Sequence, residues 1–188
     1  TLLKRYPGPR MGISGVRALT GVHGRPLLAT ALKPNGASTG ELADLAGQFA
    51  LGGGDLVKDD QNLVDDFDVF KERVTACAVA VRRANLQTGR RCLYFPHVAG
   101  SSFELRRSME LVKELGLSGI LACPLITGMD TLRTLCEELE LMLMAHPSMS
   151  GSFTGGTRRG IDHGVLLGTL FRLTGADISI FPNAGGRF

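Results

Sequence analysis

With 188 residues, 44% of them hydrophobic and 21% charged, the chain has the composition of an ordinary globular domain, which excludes disordered and fibrous classes. The net charge of +3, from 21 Lys and Arg against 18 Asp and Glu, is too small to recruit nucleic acid or an anionic membrane by bulk attraction. No apolar run reaches the roughly 20 residues that a membrane helix needs.

The first segment, Thr1 to Gly24, is rich in Pro and Gly and reads as an irregular arm. Beyond it, apolar runs of strand length alternate with longer segments of helical apolar spacing. The strand candidates are Pro26 to Pro34, Asp55 to Asp60, Arg91 to Ala99, Gly119 to Ile126, Leu141 to His146 and Asp177 to Pro182. All are mostly apolar, as strands covered on both faces should be. Phe67, Phe70, Val74, Cys77, Val81 and Ala84 recur at steps of three and four and predict a helix that stops near Gly89. Two further helices open on Ser-x-x-Glu capping boxes, Ser38 with Glu41 and Ser101 with Glu104, and end at Gly52 and Gly116. Two more are predicted from about Asp130 to Glu140 and from about Asp162 to Thr174.

Alternating β and α elements imply parallel strands with right-handed crossovers, in a doubly wound sheet or a barrel. The polar residues choose between them. Lys33, Lys58, Asp60, His97, Thr127, His146 and Asn183 fall at or just past the carboxyl ends of strands, where a (β/α)8 barrel builds its site, and no Gly-rich first turn is present. The predicted fold is therefore an α/β (β/α)8 TIM barrel of which this chain covers about the first six strands. Residues 1–24 are expected to form an arm and residues 25–188 the partial barrel. The chain starts without Met and ends directly after a strand-like run, so it reads as cut at both ends.

Val57-Lys58-Asp59-Asp60-Gln61-Asn62 is the densest polar cluster. Strand alternation puts Lys58 and Asp60 on one side, an amine beside a carboxylate. A divalent cation and an ammonium repel, so Mg²⁺ could share this corner only with Lys58 neutralised, which carbamylation by CO₂ would achieve. The bland reading is a solvated acidic turn that starts a helix. Lys33 follows an apolar strand and precedes Pro34-Asn35-Gly36, where partial desolvation would make its amine a base; the alternative is a surface loop lysine. His146, at a strand end, could donate to a substrate oxygen, whereas His97 reads as structural. The four cysteines, Cys77, Cys92, Cys123 and Cys136, form no C-x-x-C pair and follow no leader, so they read as core residues of a cytoplasmic protein.

These residues resemble the large chain of RuBisCO. The match runs through Gly24-Arg25-Pro26-Leu27-Leu28, Leu32-Lys33-Pro34, Gly53-Gly54-Asp55 and Lys58-Asp59-Asp60-x-Asn62. It continues through Thr127-Gly128, His146-x-x-Met149 and Arg172-Leu173-x-Gly175-x-Asp177. The resemblance implies a small amino-terminal α/β domain from which the arm of residues 1–24 leads, and that Lys33 moves protons near an enediolate. It implies Lys58 as a carbamylated ligand of Mg²⁺ beside Asp60, a phosphorylated substrate held in part by Asn35, Asn62, Thr127 and Arg187, and a homodimer or larger assembly.

Departures from that pattern are equally specific. Gln61 stands where the family has a third acidic ligand, His146-Pro147-Ser148-Met149-Ser150 lacks the phosphate-holding arginine of a carboxylase, and Cys123-Pro124 replaces a His-Asp pair. Ile180 stands where a phosphate-binding histidine is expected, and Arg187 where a loop lysine is. Since each charge-assisted hydrogen bond to phosphate is worth roughly 1.5 to 3 kcal/mol, these losses remove tight recognition of a bisphosphate at that end. The chain is accordingly most similar to RuBisCO-like proteins. The expected activity is Mg-dependent enolisation of a phosphorylated keto sugar or sugar acid, as an isomerase, enolase or decarboxylase, without CO₂ fixation. A genuine carboxylase fragment and a catalytically silent regulatory homologue are the alternatives.

Overall fold

The structure is a computed structural model that describes residues 4, 6–155 and 159–181. Six parallel strands alternate with helices: β1 (Ala29–Ala31), β2 (Leu56–Lys58), β3 (Leu93–Phe95), β4 (Gly119–Ala122), β5 (Met142–Ala145) and β6 (Ala176–Ser179). They pair in chain order as β1-β2-β3 and β4-β5-β6. A bridge between His97 and Leu121 joins the two sets. This is the consecutive parallel wall of a partial TIM barrel.

The strand positions sort into two environments by alternation. Leu56, Phe95, Leu121, Met142 and Met144 pack together on the inner face. Val57, Tyr94, Ile120, Ala122, Leu143, Ala145 and Ala176 join the larger layer between strands and helices. The inner face is tight at the start of β4. A Cβ on Gly119 would lie 2.6 Å from the Met142 carbonyl oxygen and 2.8 Å from the Phe95 ring, so only glycine fits.

The outer layer is built by α2 (Thr39–Leu51), α3 (Phe67–Thr88), α4 (Ser102–Glu114) and α6 (Met129–Leu139). Both predicted capping boxes are present, at Ser38 with Glu41 and at Ser101 with Glu104. In α3, Phe70, Val74, Cys77, Val81 and Ala84 are buried, and Gly89 closes the helix in the left-handed conformation at φ 68°.

Three expectations are corrected. The arm is not irregular throughout, because Gly12–Thr20 forms a helix, α1. No local side chain caps it; the Asp177 carboxylate, at the start of β6, accepts the Met11 and Gly12 amides at 2.6 and 2.8 Å. Val16 of α1 is buried against the inner cluster that includes Leu56 and Met142, the first residues of β2 and β5, so the helix seals the amino-terminal end of the wall. Second, the apolar run Gly119 to Ile126 is not one strand. Pro124 has no amide for a ladder, and the chain turns into a short helix, α5 (Pro124–Thr127), with proline in its first turn. Thr127 thus sits on a helix and not at a strand tip. Third, the predicted helix over Asp162 to Thr174 is π-helical from Gly164 to Leu170 before it becomes α-helical at Phe171–Leu173. Residues five apart then share a face, and Leu166 and Phe171 are both buried.

Candidate functional site

The inner-face alternation that places Leu56, Phe95, Leu121 and Met144 inside the wall continues two residues further along each strand. Those next positions are Lys58, His97, Cys123 and His146. All four lie at the carboxyl end, the rim on which barrels of this kind carry their chemistry. The main-chain ladder carries the strands this far. The Leu32 amide donates to the Lys58 carbonyl at 2.9 Å, Asp59 to Phe95 at 3.1 Å, and His146 to Ala122 at 2.8 Å.

Lys33, just past β1, forms an ion pair with Asp60, just past β2. The other Asp60 oxygen accepts the Asn62 amide at 2.9 Å, and the carboxylate is 1% exposed. Burial pushes the Asp60 carboxyl up, but hydrogen bonds from Lys33 and Asn62 and the charges of Lys33 and Lys58 hold it below the usual carboxylate value. Lys58 is half-buried beside this pair and donates to the Asp59 carbonyl at 3.0 Å. Burial, with the charge of Lys33, lowers its amine below the usual lysine value in spite of Asp60. The desolvated lysine is therefore Lys58. The side chain of Lys33 is 64% exposed, which agrees with the surface-loop alternative and not with desolvation at that strand end, and Asp60 is its ion-pair partner.

Across the rim, His146 holds Ser148 through its Nδ1, with the Ser148 hydroxyl at 2.8 Å and the amide at 3.2 Å. Since an amide can only donate, Nδ1 is the acceptor and the neutral ring carries its proton on Nε2. Burial first, then the charges of Lys58 and His97, push His146 down to about 4, so it is neutral at pH 7. His97 is buried and structural as expected, its Nδ1 on the Leu63 carbonyl at 3.2 Å, with burial lowering its pKa. Its Nε2 lies 3.7 Å from the Cys123 sulfur. Cys123 is buried as predicted, and burial raises its thiol, but it faces the rim and not the helix layer. Extending the inward positions of β4 by two residues would have found it.

Other predicted contributors are less central. Asn62 supplies its backbone amide while its side chain is exposed, Asn35 is exposed on the turn after β1, and Thr127 is half-buried on α5. Gln61 is half-buried beside Asp60. Asn183 and Arg187 lie outside the described residues.

Among the described residues, no three His, Cys, Asp or Glu side chains converge to hold a metal ion. A divalent cation would need Asp60 together with oxygen from Gln61 and from Lys58 once carbamylated. These are all hard oxygen donors of the kind Mg²⁺ takes, so the residues fit that ion on condition that Lys58 is converted.

Fold and rim together define a parallel α/β barrel protein with a two-lysine, one-carboxylate cluster at the mouth. The ribulose bisphosphate carboxylase large chain, catalytic domain, matches residues 12–183. The chain belongs to that family. It is similar to the 2,3-diketo-5-methylthiopentyl-1-phosphate enolase of Geobacillus thermodenitrificans, 39% identical over 97% of this chain and 45% of the relative. It is also 39% identical to the 5-methylthioribulose-1-phosphate isomerase of Rhodospirillum rubrum, over all of this chain and 49% of that protein. Among solved structures, a Rubisco-like protein from Rhodopseudomonas palustris superposes with a TM-score of 0.91 at 43% identity, covering 99% of this chain and 52% of the other. The chain thus spans about half the length of the relatives it matches. No helix among the described residues is long and apolar enough to cross a membrane.

Proposed function

We propose that the protein to which this chain belongs enolises a phosphorylated keto sugar or sugar acid, as an enolase, isomerase or decarboxylase, without fixing CO₂. The observation that carries this reading is the convergence of Lys33, Asp60 and Lys58 at the carboxyl rim of β1 and β2. The names of the enolase and isomerase relatives point the same way.

In this reading the amine of Lys33 takes the proton from the carbon beside the substrate carbonyl. Lys33 rests as the ammonium paired with Asp60, so it first releases a proton to solvent; the freed amine then accepts the substrate proton, and Asp60 holds the ammonium that results. His146, with its Nε2 proton, donates to a substrate oxygen, and Ser148 keeps the ring in that tautomer. The side chains of Thr127, Asn35 and Asn62 contribute polar contacts around the phosphorylated end. Mg²⁺ held by Asp60, Gln61 and a carbamate on Lys58 would polarise the carbonyl when bound. Assembly as a cytoplasmic homodimer belongs to the same proposal, on the strength of the family resemblance.

The test is solvent exchange. Full-length protein with Mg²⁺ and bicarbonate, incubated in D₂O with phosphorylated ketoses, should show deuterium entering the carbon beside the carbonyl by NMR. Labelled CO₂ should not be incorporated into ribulose bisphosphate. No exchange with any phosphorylated ketone would sink the enolisation reading, and incorporation of label would replace it with a carboxylase.

A further inference from the structure

Between the two site residues Lys58 and Asp60 lies a side chain that points the other way. Asp59 is fully buried and faces the helix layer, where three donors from three places meet its carboxylate. Arg73 of α3 forms an ion pair with it, the Tyr94 hydroxyl of β3 donates at 2.7 Å, and the His97 amide donates at 3.0 Å. Arg73, itself 2% exposed, also reaches the Asp65 carboxylate at 3.0 Å and stacks 5.6 Å from the Phe70 ring. A buried ion pair of this kind is weak evidence for stability, because desolvating two charges offsets most of their attraction. What it does supply is direction. In an extended chain, successive side chains alternate, so anchoring Asp59 outward forces Lys58 and Asp60 inward together.

We propose that Asp59, held by Arg73 and Tyr94, is a positioning residue that sets the approach of Lys58 and Asp60 at the rim. This deepens the enolisation reading and rests on it for its kinetic consequences. The anchor touches no reacting atom, since its carboxylate lies on the far side of the β2 end from Lys33. It works because the Lys58 amine and the Asp60 carboxylate belong to the chain neighbours on either side, and a rotation about that one residue would move both.

The experiment uses the full-length protein with Asp59→Asn, Arg73→Lys and Tyr94→Phe. Three quantities are read at a temperature where each variant is fully folded: unfolding temperature, kcat against KM for deuterium exchange, and the rate of Lys58 acetylation by mass spectrometry relative to exposed Lys71 and Lys113. Partners of this type, one step removed from the chemistry, are worth about 10- to 100-fold. Tyr94→Phe is expected to lower kcat roughly tenfold with KM nearly unchanged, and Asp59→Asn about 100-fold. In both, acetylation of Lys58 should rise toward that of the exposed lysines. Should Asp59→Asn fail to fold, Tyr94→Phe and Arg73→Lys carry the same readouts. Variants that lose only thermal stability, with kcat per folded molecule and Lys58 acetylation as in the parent, overturn the proposal. An inactive parent sinks the enolisation reading alone, because Lys58 acetylation still reports whether the anchor positions the lysine.

Discussion

The two halves of the wall carry opposite chemistry at the same rim. At the ends of β1 and β2 stand Lys33, Lys58, Asp59 and Asp60, four ionisable groups, three of them in ion pairs with partners beyond their own strand. At the ends of β4, β5 and β6 the inward positions are Cys123, His146 and Ile180, none charged at neutral pH, since burial raises the Cys123 thiol and pushes His146 down to about 4. In the proposed reading, proton abstraction belongs to the first half, and substrate fit, with the hydrogen bond from His146, to the second. Tight bisphosphate recognition needs fixed positive charge, and the inward positions described at the ends of β4, β5 and β6, Cys123, His146 and Ile180, supply none.

The sharpest way to break this contrast is to remove charge from the first half. Asp60→Asn and Lys33→Ala should each reduce deuterium exchange by about 10³-fold, whereas Thr127→Ala and Ser148→Ala should change KM more than kcat. Steady-state exchange kinetics decide, and equal kcat losses on both sides would erase the distinction.

Beneath the rim, the wall depends on close packing and not on charge. Gly119→Ala inserts a Cβ against the Met142 carbonyl and should cost about 3 kcal/mol in chemical denaturation. A smaller loss would show that β4 shifts away without strain.

The neutral half also has a pH signature. His146 is depressed to about 4 from its ordinary value of 6.5, so the unfolded chain binds a proton that the folded chain refuses between those values. Stability is fully present above the ordinary histidine value and falls as pH drops from 6.5 toward 4. A His146→Gln variant should show a flatter melting-temperature profile over that window, and parallel profiles would remove His146 as the source.

Gln61→Glu adds one negative charge next to Asp60 and should tighten Mg²⁺ binding about tenfold by calorimetry in the presence of CO₂, because affinity follows ligand charge. Unchanged affinity would mean that residue 61 does not face the ion. At the small end, Ser101→Ala removes one half of the α4 capping box and should cost about 1 kcal/mol with exchange kinetics untouched.

Much of the architecture was legible because it is written in local spacing. The α3 stripe from Phe70 to Ala84, the Ser38 and Ser101 boxes and the six apolar runs each signal an element within a few residues of itself. Helix α1 was not legible, since its amide cap is Asp177, more than 160 positions away, and no residue near Met11 announces it. The π-helical turn at Gly164–Leu170 escaped for a similar reason: its width is set by seating Leu166 and Phe171 on the core. At the rim, Lys33, Lys58, Asp60 and His146 were found from their place at strand ends. Cys123 was read as ordinary core because cysteine on an apolar run gives no sign of which face it takes, and Asp59 was passed over as part of an acidic turn.

Alone, the amino-acid sequence determined the alternation of strands and helices, the family, and the set of ionisable groups at the carboxyl ends, because periodicity, caps and residue type are properties of neighbouring positions. Tertiary structure decided which of those groups meet. It pairs Lys33 with Asp60 across 27 positions, buries Lys58 in place of Lys33, and turns Asp59 into the helix layer against Arg73. Such choices depend on burial and on partners brought from elsewhere in the chain, and charge and desolvation act through space regardless of order along the backbone.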